Sequence, residues 1–102
     1  MHTAFPHPPT ARIVSRQEYE DDGIEAEHLS LSSARSATVE AQAFVTLLQR
    51  EGWQIVRHQG MQEHFRGVLI EAQRGAQQAL LTLQPDRSRP SATAIVVVWR
   101  KS

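Results

Sequence analysis

Cysteine is absent from this 102-residue chain, which removes disulfides, thiol nucleophiles, cysteine-ligated zinc and iron–sulfur clusters in one step. Lysine is nearly absent too: ten of the eleven basic residues are arginine, and Lys101 stands alone. Only six residues are aromatic, so most are needed for a core and few remain as stacking platforms for nucleobases. No apolar run approaches the roughly 20 residues that a membrane-spanning helix requires. Five scattered glycines build neither a Gly-x-Gly-x-x-Gly turn nor a phosphate loop, and no Gly-x-Ser-x-Gly elbow occurs. Net charge is lacking as well, since eleven acids balance eleven bases. That balance argues against a general nucleic-acid binder, whose affinity rests on neutralising phosphates.

What is present supports one soluble domain. A chain of this length with 40% hydrophobic residues has material for a single core. Its charge is unevenly placed: residues 1–51 hold eight acids against four arginines, and residues 52–102 hold three acids against seven bases. Internal pairing between the two halves of one sheet accounts for this layout. The alternative is a basic face that meets an acidic partner.

Residues 1–10, with Phe5-Pro6-His7-Pro8-Pro9, read as an extended proline-rich leader before a single α+β domain over 11–102. Residues 11–16 read as a short strand, and Asp22-Gly23 as a tight turn into a second strand over 24–31. A change of side-chain parity in that strand predicts a bulge near His28. The clearest element is a helix over 37–51. Ser36 caps it, Ala37, Ala41, Phe44, Val45 and Leu48 share one face, and Gly52 stands where a left-handed terminator is wanted. Strands follow over 53–57, 65–72, 76–83 and 92–100, with links too short for parallel crossovers. The expected architecture is two N-terminal strands, one helix and a four-stranded antiparallel meander, with the helix packed on one sheet face. The expected core is Ile13, Leu31, Phe44, Leu48, Trp53, Ile55, Leu69, Leu81, Val96 and Val98.

Chemistry-bearing patterns are sparse. His58 and His64 flank a turn at Gln59-Gly60-Met61, with Glu63 beside the second, and are the only metal candidates. Zinc needs three or four converging ligands, so exposed turn histidines are the simpler reading, and no metal or cofactor is expected. The acid run Glu18-Tyr19-Glu20-Asp21-Asp22 lacks the alternation of a calcium loop. Ser30, Ser32, Ser33 and Ser36 precede a helix, where capping explains them. No carboxylate pair is marked out for general acid–base work. An enzyme is therefore disfavoured, and no catalytic residue is assigned.

The proline-rich entry Phe5-Pro6-His7-Pro8-Pro9-Thr10-Ala11 leads into a strand. Further on, Ser36-Ala37-Thr38-Val39-Glu40 opens a helix that ends in Glu51-Gly52-Trp53. This arrangement, over roughly residues 5–56, resembles small bacterial lipoprotein or periplasmic domains of unknown function. The matching residues are structural and transfer no active site. The pattern departs at the front, where neither a lipobox cysteine nor a signal sequence is present. The expected location is the periplasm or cell envelope if a signal has been removed, and the cytoplasm otherwise.

Three functions follow as expectations. The leading one is a non-enzymatic binding or assembly module with a protein partner and no nucleic acid. Arg66, Arg74 and Arg100 would gather on the meander's open face as planar donors for carboxylate or phosphate groups. The second is a small-ligand domain with a pocket between helix and sheet, lined by Phe44 and Trp53. The third is a small hydrolase. Self-association as a homodimer is also expected, because Ile95-Val96-Val97-Val98-Trp99 is apolar on both faces and one helix covers only one. If Phe44 lies on the buried helix face, Phe44→Ala is expected to cost about 3–5 kcal/mol in urea unfolding. A small loss would mean that the face is misassigned.

Overall fold

The computed structural model describes residues 4–60, 66–89 and 91–101, which hold six strands and one helix in the order ββαββββ. The strands are β1 (Ala11–Asp21), β2 (Ile24–Ser33), β3 (Gln54–Gln59), β4 (Val68–Arg74), β5 (Gln77–Pro85) and β6 (Thr93–Arg100), and α1 (Ala37–Arg50) lies between β2 and β3. All five pairings are antiparallel. They form one sheet in the order β1-β2-β6-β5-β4-β3, so β5 and β6 are central and β1 and β3 are edges. The fold is α+β. The chain after the helix returns to the first hairpin through the β2–β6 pairing.

Side-chain parity decides which face each residue serves. In β6, Thr93, Ile95, Val97 and Trp99 are buried, while the residues between them are partly exposed. Leu29 and Leu31 of β2, Ala79, Leu81 and Leu83 of β5, and Val68, Ile70 and Ala72 of β4 join them in one cluster with Phe44 and Leu48 of α1. Three expected core residues, Leu69, Val96 and Val98, point instead to the other face and are only partly buried. The run 95–99 is apolar at every position, so it carries no parity signal; the register with β2 and β5 assigns the odd positions to the helix side.

The bulge expected near His28 is absent from β2, whose pairing with β6 runs in regular register from Ala26 to Ser33. The register shifts instead in β1, between Ile13 and Ser15, and again in β3, between Ile55 and Arg57. β1 is also longer than expected. Its residues from Val14 to Asp21 are exposed on both faces, so no alternation marks them as strand.

Both ends of α1 are closed by local chemistry. Ser36 is the N-cap, and its hydroxyl accepts the Val39 N–H at 3.2 Å. At the other end the Gly52 N–H donates to the Gln49 carbonyl (3.1 Å) and the Trp53 N–H to the Leu48 carbonyl (2.8 Å). This paired motif needs a left-handed residue, and Gly52 supplies it at φ 89°. Arg74, from the far end of β4, donates from Nη1 to the Glu51 carbonyl at 2.9 Å and lies 5.0 Å over the Trp53 ring.

The leader joins the core through one ring. Phe5 is buried between Trp53 and Trp99, with ring centroids 5.4 and 5.3 Å away. The far end of the leader is tied down by Thr10, whose hydroxyl donates to Glu40 Oε1 at 2.7 Å. Glu40 is fully buried in the first turn of α1 and also accepts the Ser33 hydroxyl, so one carboxylate ties leader, β2 and helix together.

Two stability changes follow. Phe5→Ala empties the slot between the two tryptophans and is expected to cost about 3–5 kcal/mol, a drop in Tm of roughly 12 °C or more by calorimetry. A change of only a degree or two would show that the leader is not part of the core. Gly52→Ala should cost about 1–2 kcal/mol from backbone strain alone. Its new Cβ would sit 3.7 Å from Arg74 Cδ, an ordinary contact, so no steric cost is added.

Candidate functional site

The face of the sheet opposite α1 carries the most unusual surface of the molecule. Register places Val98 beside Leu80, Leu80 beside Glu71, and Glu71 beside Arg57 in one cross-strand row. The adjacent row runs Val96, Thr82, Leu69. The β-branched and leucine side chains that make β4, β5 and β6 good strands thus form an apolar band on this side too. Leu80 is 41% exposed and Val56, pushed out by the β3 bulge, 56%. No described element covers the band. Tyr19 and Asp21 of β1 and Val56 of β3 wall a hollow of about 460 Å³ whose floor includes Leu80 and Val98.

The charges around this band are paired within the chain. Arg57 Nε lies 3.3 Å from Glu71 Oε1, and Arg100 Nε lies 3.8 Å from Asp21 Oδ2. The Arg100 Nε is shielded from solvent and makes no hydrogen bond, so its contact with Asp21 is electrostatic only. Gln73, Gln78 and Gln54 complete the polar rim, with Gln73 donating to Gln54 at 3.4 Å. Elsewhere Lys101 pairs with Glu18 at 3.3 Å and Arg16 with Glu27 at 3.0 Å. Two of these four ion pairs, Arg100–Asp21 and Lys101–Glu18, link the basic half of the chain to the acidic half.

The three arginines singled out from the sequence do not lie together. Arg100 is on the open face. Arg66 precedes β4 and Arg74 ends it, so the strand's full length separates them. Arg74 is occupied by Trp53, by the Glu51 carbonyl and by Gln77 Oε1, to which its Nε donates at 2.8 Å. Phe44 and Trp53 are both packed into the core, and neither lines the hollow on the open face or the one beside the helix. His58 is exposed on β3, and His64 and Glu63 lie outside the described residues. Among the described residues no three His, Asp or Glu side chains come together as a metal site. Nor is any described helix long and apolar enough to cross a membrane.

The polar groups that sequence reasoning overlooked are two buried carboxylates. Glu27, 2% exposed, accepts from the Trp99 Nε1 at 2.9 Å and pairs with the half-exposed Arg16. Glu40 accepts from Thr10 and Ser33, and Ser33 Oγ in turn accepts the Arg35 N–H at 3.0 Å. A serine hydroxyl on a carboxylate has the elements of a nucleophile and base; here both groups are buried, and they join leader, β2 and helix. Their geometry is that of structural joints. At the surface, Asp86 accepts the Ser88 hydroxyl (2.8 Å) and N–H (2.9 Å), which hold its carboxyl below the ordinary carboxylate range and order the β5–β6 loop. A further hollow of about 750 Å³ runs along the outer side of α1, between Pro8-Pro9 and the basic groups Arg35, Arg50 and His58.

No protein-family model, curated protein or solved structure matches the chain.

Proposed function

We propose that the protein is a non-enzymatic binding or assembly module that acts through protein–protein contacts made by the open face of its sheet. The observation that carries this reading is the apolar band of Leu69, Leu80, Val96 and Val98, on well-formed central strands and without a described cover. Isolated exposed apolar side chains are ordinary, whereas a contiguous patch with a polar rim is the usual mark of an interaction surface. Here the register makes the patch contiguous, and the glutamines and paired charges make the rim. The site is also rigid, because each of its residues has a neighbour on the same strand locked into the core.

The reading of a small-ligand pocket between helix and sheet has less support. The space it requires is occupied by Phe44, Leu48, Phe5 and Trp53, all buried in mutual contact. The hydrolase reading rests on a cleft that gathers His58, Glu63 and His64; His58 stands exposed on β3, and among the described residues no three His, Asp or Glu side chains come together.

Photo-crosslinking in the living cell tests the proposal. Benzoylphenylalanine at position 80 should yield discrete adducts that disappear when Val98→Asp is added, while the same probe at position 39, on the outer side of the helix, should yield none. Equal labelling from both positions, or none from position 80, would remove the open face as a working surface.

A further inference from the structure

Resting on that reading, we infer that the occupant of the open face is a second copy of this chain, stacked sheet on sheet about a twofold axis that passes near Leu80 and Val98. Three observations lead there.

The first is position. An isologous interface requires the residues near the axis to meet their own counterparts. β5 and β6 are the two central strands of six, and Leu80 and Val98 are direct partners across them. An axis at that pair lays the band of one copy on the band of the other. The edge strands then meet the partner's edges at the rim.

The second is charge. Stacking one face on its own image sets two equal net charges against each other, and these repel unless the face is close to neutral. Across β3 to β6 Arg57 is paired with Glu71 and Arg100 with Asp21, beside Gln54, Gln73, Gln78 and Thr82. Farther out the same rows carry His28 on β2 and Arg12 at the β1 edge, so the charge is balanced at the centre of the face. The whole chain is neutral as well. A partner selected by charge would call for an unbalanced face; this one suits its own image.

The third is area. Strands spaced about 4.8 Å apart and rising about 3.4 Å per residue give six strands of some eight residues a face of roughly 24 by 27 Å, or about 650 Å² before side-chain relief is added. A stable interface buries about 800 Å² per partner. A single peptide strand covers a fraction of that, while an equally broad, twisted sheet covers all of it. Face-to-face sheets pack about 10 Å apart with interdigitating side chains, so the layer fills when Tyr19 and Val56, which wall the hollow of one copy, enter the hollow of the other above Leu80 and Val98.

Sedimentation velocity on the full chain, over a roughly hundredfold dilution from near-millimolar concentration, reads the association directly. The expected result is twice the chain mass at the upper end and a return toward the single-chain mass on dilution. Leu80→Asp should keep the native circular dichroism, since this side chain is 41% exposed. Its new carboxylate faces Glu71 on β4, so Tm should fall modestly, and the dissociation constant should shift at least about a hundredfold. Val39→Asp, on the opposite side of the molecule, should leave association unchanged. Because the chain has no cysteine, Leu80→Cys treated with a short bis-maleimide should give a covalent dimer, and Val39→Cys should not. The linker is needed because sheets about 10 Å apart are too distant for a direct disulfide. A single-chain mass at every concentration with no cross-link at position 80 overturns the inference, as does a dimer that survives Leu80→Asp. If position 80 still forms Val98-dependent adducts of other masses in the cell, the open face stands as a binding surface and only the second copy falls. If those adducts are missing too, both fall.

Discussion

An α-helix with its side chains is about 10–12 Å across, while six strands about 4.8 Å apart span roughly 24 Å, so α1 alone cannot roof the sheet it lies on. It packs over β3, β4 and β5 and leaves the β6 and β2 side to other groups. That deficit organises the rest of the molecule. Trp99 fills part of it from the sheet, Trp53 reaches in from the helix exit, and Phe5 comes from the leader to sit between them. Beyond the rings, Glu27 is drawn under cover because the Trp99 N–H and Arg16 satisfy its oxygens there. The leader is thus a second roof element that happens to lack regular structure.

What could be read in advance was local. Ser36, the spacing of Ala41, Phe44, Val45 and Leu48, and Gly52 each act within a turn or two, and the helix begins and ends as they specify. Asp22 and Gly23 likewise both take positive φ and close the first hairpin. What could not be read was relational. In 95–99 every side chain is apolar, and only pairing with β2 and β5 tells Val97 from Val98. Phe5 lies in a segment without periodicity, so nothing near it in sequence announces partners 48 and 94 residues away. The same applies to the candidate site: its apolar residues were visible, but three of them, Leu69, Val96 and Val98, were assigned to the core. Arg100 lies on the open face, whereas Arg66 and Arg74 need the length of β4 to show that they lie far apart.

The two buried carboxylates show how polar residues enter such a core without an opposite charge for each. Glu40 stands in the first turn of α1, where the helix dipole favours negative charge, and two hydroxyls complete its shell. Its neighbours Ser33 and Thr93 hold the chain on either side of the cap, since Thr93 Oγ1 donates to the Arg35 carbonyl at 2.6 Å. The serine-rich segment before the helix, whose obvious use is capping, therefore serves two purposes: Ser36 closes the helix and Ser33 anchors its buried acid. A burial pattern scored only by apolarity misses Glu40, although it lies one residue from Ala41 on the same stripe.

Both edges of the sheet carry a register shift, at Val14 in β1 and at Val56 in β3, and β1 adds Arg12, Arg16, Glu18, Glu20 and Asp21 along its length. A bulge breaks the even spacing of donors and acceptors that an incoming strand would have to match, and charges along an edge make the fit poorer still. The sheet is consequently a ribbon with blunted edges: strand-by-strand lengthening into a fibril is opposed at both sides, and a chain rich in valine and leucine has its broad faces as the easier direction of growth.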